Sequence, residues 1–155
     1  GLHTVPLLWR FHRVHHTSEV LDLTAGWRFH PIEAIISLFT ILIIVAIIQP
    51  PPALIVAYLV LTTWVNLLVH ANVDLPAKLE TALDPLFITP SLHSVHHSTD
   101  PSDYNTNFGV IFSFWDRWFG TLKTPLRGER HTFGVLPLQN PGFLAMLAHP
   151  FNRRA

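Results

Sequence analysis

Residues 32–48 and 53–69 are two apolar runs separated only by Gln49-Pro50-Pro51-Pro52, and together they carry one charged residue, Glu33, at the mouth of the first. The second run has only Thr62, Thr63 and Asn66 as polar groups. Each run makes roughly 26 Å of helix at 1.5 Å per residue, slightly less than a ~30 Å hydrocarbon core. Two buried helices of a soluble bundle is the competing reading, but 155 residues leave little chain to cover both runs. A composition of 49% hydrophobic and 13% charged residues points the same way. The expectation is therefore an all-α integral membrane protein with one transmembrane helical hairpin and a cytoplasmic, His-rich helical cap.

A hairpin returns the chain to the side it left, so everything before Pro31 and after Val69 shares one face of the bilayer. All ten Lys and Arg lie on those flanks, Arg10, Arg13 and Arg28 before the spans and seven after, with none in the Pro-rich turn. The positive-inside tendency puts that side in the cytoplasm, of a bacterial inner membrane or the endoplasmic reticulum.

The two flanks carry matching stretches, His12-Arg13-Val14-His15-His16 and His93-Ser94-Val95-His96-His97. On a helix, positions i, i+3 and i+4 share a face, so each copy is expected to aim three imidazoles at one point. With His3 and His70 the candidate metal ligands are His3, His12, His15, His16, His70, His93, His96 and His97. A tetrahedral site takes four, so eight imply two metals. Imidazole accommodates zinc, copper, iron or nickel, and the ion stays open on this ground. His30 reads as a helix-start residue, and His131 and His149 as structural. Zero cysteines exclude disulfides, thiolate zinc sites and iron-sulfur clusters, and a net charge of zero gives no sign of a nucleic-acid partner.

Taken in order, residues 1–155 form one domain. An opening helix runs from Pro6 to about His16, and Pro31 starts the first span. Residues 72–83 are loosely amphipathic, Thr89-Pro90-Ser91 starts a short helix carrying the second cluster, and Asp100-Pro101-Ser102-Asp103 makes a turn. The aromatics of residues 111–120 suit the headgroup interface. The tail from Thr121 reads as loop.

The run Leu2 to Ser18, which includes Trp9-Arg10-Phe11-His12-Arg13-Val14-His15-His16, resembles the second histidine box of the membrane fatty acid hydroxylase and sterol desaturase superfamily. Thr89 to Ser98, then Asn107-Phe108-Gly109 and Phe114-Trp115-Asp116-Arg117-Trp118-Phe119-Gly120-Thr121, resembles that family's last box and its trailing signature. Arg28-Phe29-His30-Pro31-Ile32-Glu33 is similar to its R-x-H-P-x-E pattern. The likeness covers nearly all of residues 2–121.

The resemblance implies a non-haem di-iron oxidoreductase: two iron ions, O2 as co-substrate, and hydroxylation of a fatty acyl, sterol or related lipid. It also implies an external electron donor, a b-type cytochrome, ferredoxin or reductase, since no flavin or haem motif is present. Desaturation or an alkylglycerol-type monooxygenase reaction is the nearer alternative, and a membrane metal carrier or sensor the more distant one. His3 is similar to the second member of the family's first box, so its partner and at least one further hairpin are expected upstream of Gly1. Asp103, Asn107 and Asp116 are expected to orient ring nitrogens.

Overall fold

The computed structural model describes residues 1–126, 128–135 and 142–152, and among them every regular element is helical. The first span is α2 (Pro31–Ile48) and the second α3 (Pro52–His70), preceded by α1 (Pro6–His12). The cap is completed by α4 (Ala77–Leu83), α5 (Pro90–His96), α6 (Phe114–Phe119) and α7 (Phe143–Ala148).

Local chemistry explains the span boundaries. Proline occupies the first turn of both α2 and α3, where its missing N–H costs nothing. His30 Nδ1 accepts from Ile32 N–H at 3.1 Å, so His30 caps α2. Gln49 closes α2 in the left-handed region at φ 51°, and two prolines then prevent the helix from continuing. Only 6% of each span is buried within the chain, which leaves long apolar faces for lipid or further helices. Within the cap, α2 leans on α1, and α3 packs on α5 and on the turn at Ala25–Trp27. Asn66 Nδ2 ties α3 to that turn by donating to the Gly26 carbonyl at 2.7 Å.

Two expectations are corrected. The opening helix stops at His12, and residues 15–17 form a separate tight turn, held by His16 N–H to the Arg13 carbonyl and Thr17 N–H to the Val14 carbonyl. Such i to i+3 bonds wind the chain more tightly than an α-helix and re-aim successive side chains. The tail is not all loop, because Phe143-Leu144-Ala145-Met146-Leu147-Ala148 are good helix formers and make α7. Its end docks on the cap through Phe151 against Phe11, with ring centroids 6.0 Å apart, and the Leu147 carbonyl lies 3.3 Å from His30 Nε2. Residues 127, 136–141 and 153–155 of that tail lie outside the described residues.

Behind α5, two buried polar side chains hold the loop that precedes α6. Asn107, at φ 50°, donates to the Leu92 and Lys123 carbonyls, both at 2.8 Å, and accepts from Lys123 N–H at 2.9 Å. Asp116 accepts from Phe108 N–H at 2.7 Å, Gly109 N–H at 2.8 Å and the Thr121 hydroxyl at 2.6 Å. A Cβ on Gly109 would sit 2.4 Å from the Phe112 carbonyl oxygen, so only glycine fits there.

Asn107→Ala removes three hydrogen bonds, one to the buried Leu92 carbonyl and two to the half-buried backbone of Lys123, and is expected to cost about 2 kcal/mol, read as a lowered thermal midpoint in detergent. Single cysteines at Pro51 and Ser98 are expected to label from opposite sides of a sealed vesicle; labelling from one side would contradict a spanning hairpin.

Candidate metal centre

Five segments deliver the eight histidines. His3 comes from the N-terminal turn, His12 from the end of α1, and His15 and His16 from the tight turn after it. His70 ends α3, His93 and His96 lie on α5, and His97 caps it. They gather into two groups of four: His3, His12, His16 and His96, and His15, His70, His93 and His97. Within each group the candidate ligand atoms lie within 4.8 Å of one another.

The two H-x-V-H-H triples do not each converge on one point. Each sends its i and i+4 members to one group and its i+3 member to the other. His12 and His16 join His3, while His15 crosses to the second group; His93 and His97 join His70, while His96 crosses to the first. On α5 the i and i+4 rings lie most nearly one above the other, and the i+3 ring is displaced around the axis in the opposite sense; the first copy reaches the same partition through the tight turn after His12. A cation placed to each side of that face takes different members. The groups abut, with the His16 and His97 rings stacked at 4.3 Å.

In the second group the Nε2 of His70 lies 3.2 Å from those of His15 and His97 and 3.1 Å from that of His93; the Nε2 atoms of His93 and His97 are 3.1 Å apart. His70 Nδ1 lies 2.7 Å from the Asn66 carbonyl, which can only accept, so the neutral ring keeps its proton on Nδ1 and Nε2 is a bare lone pair. The spacing approximates the edge of a tetrahedron with corners about 2 Å from its centre, the usual metal to imidazole distance.

The first group is oriented the same way. His12 Nδ1 is 2.7 Å from Glu33 Oε1, and His96 Nδ1 is 2.8 Å from the Thr106 carbonyl, which frees both Nε2 atoms. His3 Nε2 and His16 Nε2 are buried without a hydrogen-bond partner. Trp9 stacks behind this group, 4.9 Å from His3 and 5.3 Å from His16.

Burial first, and neighbouring imidazoles second, hold His15, His16, His93 and His97 well below the ordinary imidazole range. Burial lowers His96 to about 4 and, with His96 and His12 nearby, His3 to about 2. The rings are therefore neutral at pH 7, the state in which imidazole binds a metal.

A cavity of about 660 Å³ adjoins both groups. It is walled by His3, His12, His15, His70, His93 and His96 on one side, and by Ser37 of α2 and Thr62 and Thr63 of α3 on the other.

Glu33 is the site residue that motif reading undervalues. It is 4% exposed, its Oε1 fixes the His12 tautomer, and its Oε2 lies buried without a partner at the cavity wall. An ionisable residue at the mouth of an otherwise uncharged span is the signal that could have found it. The carbonyls of Asn66 and Thr106 carry no such signal.

Asp103, Asn107 and Asp116, expected to orient ring nitrogens, bond elsewhere. Asp103 pairs with Lys123 and lies 3.6 Å from His131 Nδ1, and the other two hold backbone as described. His30, His131 and His149 stand outside both groups. His149 is buried beside Arg13, and burial followed by that guanidinium lowers it to about 4.

Apolar helices long enough to cross a bilayer, joined to buried clusters of neutral imidazole, are the make-up of a helical membrane protein with a metal-competent centre. Residues 1–121 match the fatty acid hydroxylase family model, and the chain belongs to that family. It is 35% identical to ornithine lipid hydroxylase OlsE of Rhizobium tropici over 95% of its own length and 44% of that protein's. Cholesterol 25-hydroxylase of Rattus norvegicus is 30% identical, over 83% of this chain and 42% of the relative. Alkylglycerol monooxygenase of Caenorhabditis elegans is 24% identical, over 90% of this chain and 27% of the relative. The chain thus spans less than half the length of each of these three relatives. No solved structure matches it.

In metal-free protein, the unfolded chain takes up protons near pH 6.5 while the folded rings resist them, His96 until about 4. The unfolded state then binds more protons, so stability is full above about pH 6.5 and is lost as pH falls toward 4. The thermal midpoint of chelator-treated protein is expected to drop between about pH 7.5 and 5; a flat profile would contradict burial of the neutral rings.

Proposed function

We propose that the protein hydroxylates a membrane lipid with O2, using two irons. One would be held by His3, His12, His16 and His96, and the other by His15, His70, His93 and His97. The observation that supports this most is the pair of abutting four-nitrogen groups opening on one cavity between the spans. Iron, when bound, supplies the one-electron chemistry that an unactivated carbon–hydrogen bond requires and that redox-silent zinc lacks. The overall change, R–H + O2 + two electrons + two protons to R–OH + water, needs an external donor, for which a b-type cytochrome, a ferredoxin or a reductase is suited.

The chain's own residues hold and shield. Glu33, the Thr106 carbonyl and the Asn66 carbonyl keep protons on Nδ1 and turn Nε2 inward. The apolar walls of Trp27, Phe29, Val69 and Val110 exclude bulk water and receive a hydrocarbon chain. The cavity is lined by Ser37 of α2 and Thr62 and Thr63 of α3, so the lipid enters sideways from the bilayer between the spans. The Lys and Arg distribution places the histidine side in the cytoplasm, of a bacterial inner membrane or endoplasmic reticulum. The names of the relatives, all lipid hydroxylases or monooxygenases, support lipid oxidation. A metal carrier would need a polar path through the spans. Thr62 and Thr63, on the cavity wall, instead donate to carbonyls of their own helix.

The crossed arrangement makes a specific prediction for the full-length protein. Elemental analysis is expected to give about two irons per chain. His15→Ala with His93→Ala, both from one group, should leave about one iron, whereas His15→Ala with His16→Ala should leave close to none. Each pair should abolish lipid oxidation, read by mass spectrometry as loss of the product one oxygen heavier. A product two hydrogens lighter would instead identify a desaturase, and retained oxidation in either pair would refute the ligand assignment.

A further inference from the structure

The metal cavity has a neighbour. A second groove of about 520 Å³ runs beside α3 and α6, walled at its far end by Tyr58, Trp115 and Phe119. The two spaces share Thr62, Phe108, Gly109 and Val110 as lining. Thr62 lies eight residues before His70 on α3, so the cavity reaches about 12 Å below the metal level; Tyr58, one turn further, takes the groove to about 18 Å. The groove continues the line of the cavity toward the apolar depth of the spans.

Of the shared residues, Phe108 is the one whose side chain can divide the spaces. Its ring meets His3 at 5.3 Å and 70°, and His96 at 5.9 Å and 76°, so it stands against the first histidine group. Its backbone N–H is fixed by Asp116, while the ring is 39% exposed and is not part of the core. Gly109 has no side chain and can accept none. A rigid backbone carrying a replaceable ring between two apolar spaces is the arrangement of a specificity-determining wall.

We infer that Phe108 sets the length of apolar chain that lies beyond the metal centre, and that the α3–α6 groove is the room a longer acyl chain would occupy if the ring were smaller. The inference rests on the lipid-oxidation reading. The groove's occupant is the distal part of the substrate's own hydrocarbon chain, because the groove's walls are mostly apolar, it shares four lining residues with the cavity, and it follows α3 away from the histidines.

The test uses full-length protein in lipid nanodiscs and a saturated fatty acid carrying a diazirine at its methyl end, so that labelling does not depend on turnover. In the wild type, labelled peptides are expected to contain Trp27 and Val69. In Phe108→Ala, label on peptides containing Tyr58 and Trp115 should rise several-fold with iron content unchanged, and cells expressing the variant should oxidise longer or differently positioned chains. Adding Thr62→Phe, which refills the passage from the α3 side without touching a histidine ring, should restore the wild-type pattern. Identical labelling in wild type and Phe108→Ala, groove labelling already present in the wild type, or loss of iron on removing the ring would each overturn the inference. Wild-type label absent from the cavity peptides would overturn the lipid reading beneath it.

Discussion

The structure depends on eight imidazoles packed where an ordinary domain keeps hydrocarbon. Leu92, Val95, Val14 and Ala25 are fully or almost fully buried, but they surround the histidines and do not form a separate core. Nitrogen lone pairs facing one another at 3.1–3.2 Å repel unless something positive lies among them. Hydrogen-bond acceptors behind three of them keep the rings aimed: Glu33 behind His12, the Thr106 carbonyl behind His96 and the Asn66 carbonyl behind His70. This is the outer hydrogen-bonding shell expected of imidazole ligands, built from three unrelated parts of the chain.

The membrane spans and the cap impose different requirements and meet at few points. As far as Leu61, α3 is an apolar rod; from Thr62 onward it becomes part of the site through Asn66 and His70. The first turn of α2 does the same through His30 and Glu33. The cavity lies where the two long helices change from exposed apolar side chains to site-forming ones, lined by Glu33 and Ser37 of α2 and Thr62, Asn66 and His70 of α3.

Much of this was legible in the chain. The spans were readable because two apolar runs carrying a single charge, Glu33, flank a triple proline, and six of the eight histidines because a repeated spacing singles them out. The division of each triple between two groups was not, because it depends on a tight turn after His12 and on ring directions that spacing alone leaves free. The part played by Asn107 and Asp116 was also hidden: both look like candidates to steer a metal ligand, yet they bind backbone and shape the Phe108 loop. Main-chain carbonyls that fix a tautomer have no letter in a sequence.

The exchange of the i+3 histidines has a consequence for biogenesis. Neither four-nitrogen group can exist while the ribosome has released only the residues ahead of the hairpin, since each borrows from the segment that follows it. A metal ion can therefore find either full set of four only after α5 has been made. A half-made chain would hold its early histidines as an open, weak chelator, and quality control that senses membrane insertion would at the same time sense readiness for metallation.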